Sequence, residues 1–234
     1  MLSRYMKAGW MVVLVGLVLV PMPSQAVFYY GSLSYPTGLD ALGHWATTIG
    51  QASTLSWRVT ETSTPGWWTY RYELSHPPGK TERLILETSL DLSSGDIANV
   101  RVNDAGGSLV PYLLMPGDIG THGPGEGNDG MPGDIHGILF NRGIRGIVTT
   151  IEFDSRWMPA WGDFYAKGDG FPTVDATWNS GFTAADPLDP IGDGSTKYHV
   201  LVPAALVEPI PEPATLLLLG TGLLAAAGLR RKRN

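Results

Sequence analysis

Apolar and polar residues alternate through much of the middle of this chain. In residues 55–59, Leu55, Trp57 and Val59 alternate with Ser56 and Arg58. In residues 68–74, Trp68, Tyr70, Tyr72 and Leu74 share one face opposite Thr69, Arg71 and Glu73. A period of two predicts half-buried antiparallel strands. Further strands are predicted over residues 83–90, 98–102, 108–114, 137–140, 147–153, 163–167 and 198–203, the sixth with Phe164 inward and Asp163 and Tyr165 outward. Asn103-Asp104-Ala105-Gly106-Gly107 reads as a hairpin loop, because these residues accept positive φ, and Asn141-Arg142-Gly143 as a second. One short helix is expected within residues 38–51, and residues 116–133, rich in Gly and without apolar periodicity, as a surface loop. The expected fold is mainly β, an antiparallel two-sheet sandwich of jelly-roll-like form. No repeat of fixed period favours a propeller or solenoid.

Two apolar runs break this pattern. Near the start, Arg4 and Lys7 precede the uncharged residues 8–20, followed by Pro-Met-Pro-Ser-Gln-Ala ending at Ala26. A basic start, a short apolar run and a small-residue end are the parts of a secretory signal peptide, with cleavage expected after Ala26. Near the other end, the apolar residues 214–229 stop at Arg230, Arg231, Lys232 and Arg233. Cations there hold that end on the cytoplasmic side, because carrying them across a bilayer is costly. At ~1.5 Å per residue such a helix is about 24 Å long, short for permanent residence and suited to a temporary stop. The expected organisation is a signal peptide over 1–26, an exported sandwich domain over 27–207 and a C-terminal signal with one transmembrane helix over 208–234.

Pro211-Glu212-Pro213, followed at once by the apolar helix and the terminal basic cluster, closely resembles the PEP-CTERM sorting signal of bacterial exosortase substrates. The resemblance covers about a tenth of the chain. It implies a membrane-embedded cysteine transpeptidase, the exosortase, as a partner that cuts near the tripeptide and passes the protein to the surface or releases it. The other partners expected are the Sec translocon, signal peptidase, a transient inner-membrane stage and exopolysaccharide. Trp161-Gly162-Asp163-Phe164-Tyr165-Ala166-Lys167-Gly168 and Trp178-Asn179-Ser180-Gly181-Phe182 are similar to segments that recur among PEP-CTERM proteins, and imply no activity.

Composition sharpens this picture. Gly (30) and Pro (18) make up about a fifth of the 234 residues, which suits a loop-rich sheet protein and excludes a helical bundle. There is no Cys, so disulfides, thiol nucleophiles and Cys-based metal centres are excluded. The net charge of -6 divides into +2 over residues 1–26, +3 over 212–234 and -11 between them. An acidic exported body repels nucleic acid and attracts cations.

Three kinds of chemistry could sit on such a body. Calcium is the first, with Asp186, Asp189 and Asp193, or Glu126, Asp129 and Asp134, as oxygen ligands on flexible turns, although neither set has EF-hand spacing. Glycan stacking is the second. Trp57 and Trp68 are expected in the core, which leaves Trp67 and Trp157 as surface candidates. Catalysis is the third: His44, His76, His122, His136 and His199 show no metal spacing and no nucleophile elbow is present, so no enzyme is expected. The reading is an exported surface or matrix protein associated with exopolysaccharide. The alternatives are a secreted carbohydrate-active enzyme and a Ca²⁺- or glycan-binding module carrying the same tail.

Overall fold

The computed structural model describes residues 26–205, apart from residues 126, 142 and 171 and the side chains of 144 and 145. Two antiparallel sheets face each other. The first runs β1 (Phe28–Ser34), β3 (Thr54–Glu61), β4 (Trp68–Ser75), β11 (Val148–Ser155), β6 (Ile97–Asn103) and β7 (Leu109–Pro111) across its width. The second runs β2 (Leu39–Leu42), β14 (Ala176–Asn179), β13 (Phe164–Gly168), β5 (Lys80–Glu87), β9 (Ile135–Phe140) and β8 (Ile119–His122), with β10 (Ile144–Arg145) also on β5. A ribbon of β12 (Met158–Gly162) and β15 (Val200–Ala205) forms a third, two-stranded sheet.

Alternation decides the inner face of the first sheet. Leu55, Trp57 and Val59 on β3, Trp68, Tyr70, Tyr72 and Leu74 on β4, and Ile151 and Phe153 on β11 are all buried. The register sets Trp57 opposite Tyr72, and Tyr72 opposite Ile151, so apolar side chains line up from strand to strand. Ring centroids lie 5.4 Å apart for Tyr70 and Phe153, and 6.0 Å apart for Phe140 and Phe153, which joins the two sheets through stacked aromatics. The two buried phenols also need acceptors. Tyr70 donates to the Trp157 carbonyl and Tyr72 to the Leu201 carbonyl, each at 2.7 Å, which ties the first sheet to the chain at either strand of the ribbon. On the outer face Arg71 bridges Glu73 (2.6 Å) and Glu152 (3.3 Å), a solvated arrangement that contributes little to stability.

The second sheet is covered on both faces. Leu84, Ile85 and Leu86 are consecutive and all buried, as a two-sided strand requires. A separate apolar cluster of Ile85, Met131, Ile135, Tyr165, Ala176 and Phe182 packs on its outer side. Tyr165 lies on that outer side, opposite Phe164, as expected, but it is buried there because the described residues of 116–133 fold back as a cover. That segment holds β8, buries Met131 and Asn128, and accepts a 2.6 Å hydrogen bond from the Tyr165 hydroxyl at the Asp129 carbonyl. It is a packed element and not a free loop.

Two further expectations are corrected. Residues 38–51 form no α-helix. They form β2 and a single 3₁₀ turn at Gly43–Trp45, whose Gly43 takes φ +62° and whose Trp45 drops into the core. β9 and β10, the described strands on either side of residues 141–143, do not pair with each other as a hairpin either. β9 and β10 both lie along β5, with Phe140 opposite Leu84 and Ile144 opposite Thr81, so four steps on one side meet three on the other as in a bulge. The hairpin at 103–107 is as expected, with Asp104 Oδ1 accepting from the N–H groups of Gly106 and Ser108.

Buried His76 shows how polar groups are accommodated between the sheets. Its ring stacks on Trp45 at 4.3 Å. Thr149 donates to Thr81 Oγ1 (2.7 Å), Thr81 donates to His76 Nε2 (2.9 Å), and His76 Nδ1 donates to the Pro77 carbonyl (2.7 Å). This chain fixes the neutral tautomer. Burial holds its pKa below the ordinary value, against the opposing pull of the Pro77 carbonyl and of Asp175 and Asp169. A depressed folded value means that the unfolded chain binds the proton first. The His76 contribution is then complete above about pH 6.5 and is lost as the pH falls through the folded value. In thermal melts at pH 7.5 and 5, His76→Gln should lose less stability on acidification than wild type; an equal loss would remove His76 from the account. Tyr72→Phe should cost about 1–3 kcal/mol in denaturant unfolding, because it strands the buried Leu201 carbonyl.

Candidate functional site

The expected site residues do not assemble as a set. Trp157 is only 4 % exposed, so its ring is closed to a glycan, contrary to expectation; the alternation of buried Phe153 and Ser155 runs on past the exposed Arg156 and turns Trp157 inward. Trp67 is half-buried and lines a shallow groove of about 350 Å³ with Thr62, Ser63, Thr64, Ala98, Asn99 and Asp154, while the Arg156 guanidinium lies 5.0 Å from its ring centre. The three aspartates expected for calcium part company. Asp189 pairs with Lys197 (3.3 Å), Asp193 accepts the Tyr30 N–H (3.1 Å), and Asp186 turns toward His199. In the second set, Asp129 pairs with Lys167 (2.8 Å), Asp134 packs against Gly123, and Glu126 lies outside the described residues. Ala26 is exposed at the edge of the described chain, whereas residues 1–25 and the whole sorting tail, from Pro211, Glu212 and Pro213 to Arg230, Arg231, Lys232 and Arg233, lie outside it.

What the fold does bring together is Glu87, Asp163, Asn179, Asp186 and His199. Asp163 stands at the break between β12 and β13, 4 % exposed. Its N–H donates to Glu87 Oε2 (2.7 Å) and its carbonyl accepts the Glu87 N–H (2.9 Å), a reciprocal clasp at the end of β5. Asn179, at the end of β14, donates from Nδ2 to Asp163 Oδ1 (2.6 Å) and accepts the Phe164 N–H at Oδ1 (2.9 Å). The Asp163 carboxylate is thus held before any partner reaches it.

His199 enters from the other side. Lys197 and Tyr198, with φ of +49° and +65°, form a tight reversal between Thr196 and His199. Such a conformation is rare for side chains of this size and is retained only where surrounding structure demands it. It delivers a fully buried imidazole whose Nδ1 lies 3.0 Å from Asp163 Oδ1 and 3.3 Å from Asp186 Oδ1. At neither contact does the ring point along the line that a hydrogen bond needs, and Nε2 has no hydrogen-bond partner. Gly181 makes room for the ring, since a Cβ there would sit 2.7 Å from the Lys197 carbonyl and 2.8 Å from His199 Nε2.

The electrostatics follow from three carboxylates around one imidazole. Burial pushes the Glu87 carboxyl up to about 7, and the nearby charges of Asp186 and Asp163 add to the rise. For His199, burial favours the neutral ring, but the two facing carboxylates outweigh it and raise the group to about 9. The cluster therefore attracts positive charge at neutral pH, whether as a proton or as a cation.

Sequence reasoning missed this site because its members are spread from residue 87 to residue 199. A signal was present: Asp163 and Asn179 lie within the two aromatic segments 161–168 and 178–182, and Gly181 belongs to the second.

Residues 209–232 match the PEP-CTERM protein-sorting motif. The chain carries a PEP-CTERM sorting motif. Its motif implies exosortase-dependent sorting of an exported protein with a C-terminal membrane-anchoring tail. No curated protein and no solved structure matches the chain. The motif covers the tail, so the body of this PEP-CTERM protein is characterised by its own geometry. For that body, Gly181→Ala should lower stability by about 1–3 kcal/mol in chemical unfolding, since the added methyl meets backbone and a buried ring that cannot retreat. An unchanged midpoint would show that His199 is not held as tightly as its contacts indicate.

Proposed function

We propose that this PEP-CTERM protein is a non-enzymatic component of the cell surface or extracellular matrix, associated with exopolysaccharide and delivered by an exosortase. The observation that carries the reading is the placement of the sorting motif. It begins at residue 209, four residues beyond Ala205, where the last described strand ends. Every described strand pairing lies on the N-terminal side of the motif, so a cut near Pro211-Glu212-Pro213 leaves the sandwich whole. Signal peptidase removes residues 1–26 after Sec-dependent export, and the 208–234 segment pauses in the inner membrane until exosortase acts. The exported sandwich of 27–207 then carries the acidic charge outward.

The half-exposed Trp67 groove supports association with exopolysaccharide. It sets an indole beside Thr62, Ser63, Asn99 and Asp154, an apolar face with polar neighbours suited to a sugar ring. Intact mass spectrometry of the protein recovered from an exosortase-bearing producer checks the route. The expected chain starts at Val27 and ends near residue 213, and substitution of Pro211-Glu212-Pro213 by three alanines leaves an uncut form in the membrane fraction. A surface form that still ends in Arg233-Asn234 would overturn the proposal.

A further inference from the structure

We propose that Asp163, Asp186 and His199 form a binding site for one divalent transition-metal ion of the zinc or manganese kind. One ligand atom from each residue lies within 4.8 Å of the others. The two His199 separations, 3.0 and 3.3 Å, are close to the spacing of about 3.3 Å between ligands held ~2.0 Å from a tetrahedral ion. They are too poorly aligned for hydrogen bonds, and His199 is completely buried with both ring nitrogens unpartnered. A buried imidazolium would leave two N–H groups without aligned acceptors, whereas a metal-bound neutral ring leaves one.

Charge points the same way. Asp163 and Asp186 contribute two carboxylates, and Glu87 lies beside them with Oε2 engaged by the Asp163 N–H. A dication neutralises this group more completely than a single proton on His199. Imidazole nitrogen with carboxylate oxygen is the donor set of zinc and manganese, while calcium prefers six to eight oxygens. Asn179 and Glu87 serve as positioning residues, because their hydrogen bonds to Asp163 fix the carboxylate that faces the ion. Asp186, with its side chain 43 % exposed, supplies the ligand that closes the site from solvent. The bound ion would pin the loop carrying Asp186 to the edge where β5, β13 and β14 meet β15, a structural cross-link in a chain without cysteine.

The test uses the mature protein purified from its producer, stripped with EDTA and dialysed. Zn²⁺, Mn²⁺, Ca²⁺ and Co²⁺ are then titrated separately, and uptake is read by elemental analysis and by the shift in melting temperature. Zn²⁺ or Mn²⁺ should bind at about one equivalent and raise the melting temperature, and Co²⁺ should give a visible absorption band. Asp186→Asn changes an exposed side chain outside the core and should weaken binding at least about tenfold while the metal-free protein still melts cooperatively. His199→Gln should abolish the Co²⁺ band. Uptake below about a tenth of an equivalent, calcium binding in place of Zn²⁺ and Mn²⁺, or Asp186→Asn binding as tightly as wild type would each overturn the proposal. Metal uptake is read on the sandwich, so its result is independent of where the C-terminal cut falls.

Discussion

A buried carboxylate at Asp163 is the constraint around which this corner of the sandwich is organised. An ionised group out of water is tolerated only when its lone pairs and charge are answered. Glu87 answers the backbone of Asp163, Asn179 donates to its Oδ1, and the His199 ring lies 3.0 Å from the same oxygen with Asp186 on the ring's other flank. Those partners come from β5, the end of β14, the lead-in to β15 and a distant loop. Satisfying one side chain therefore fixes how four separate stretches of chain meet.

The rest of the architecture accommodates that convergence. His199 reaches the cluster only because Lys197 and Tyr198 accept left-handed backbone and Gly181 leaves space below the ring. The reversal is followed directly by β15, whose Val200, Leu201 and Val202 are buried and whose Leu201 carbonyl receives the Tyr72 hydroxyl. Polar convergence at one end and apolar burial along the strand thus reinforce each other. In the Gly43 turn a similar economy holds, since Asp175 accepts the His44 N–H (2.6 Å) while Trp45 is driven into the core against His76.

Legibility varied with the kind of information each element carries. β3, β4 and β11 were readable because one face is apolar and the other solvated, and the 103–107 hairpin because Asp and Gly act locally. β5 and β13 carried the opposite warning, since strands covered on both faces lose their alternation, as Ile85 and Tyr165 show. The cover over the second sheet was invisible: residues 116–133 look like a solvated loop, and only the packing of Met131 and the bond to the Tyr165 hydroxyl make them structural. Of the clustered residues, Asp186 was singled out in the sequence but grouped with Asp189 and Asp193, which are its neighbours along the chain and face other partners in space.

By itself the sequence determined the sorting signal and the class of fold. A sorting signal is a linear message, with its tripeptide, apolar stretch and basic end in fixed order, and strand alternation is written into neighbouring residues. Both are local properties, so a single chain displays them without its fold. The cluster of Glu87, Asp163, Asn179, Asp186 and His199 was decided by tertiary structure alone. Charges that stabilise one another through space carry no mark of their partners along the chain, and only the burial of Asp163 makes those partners necessary.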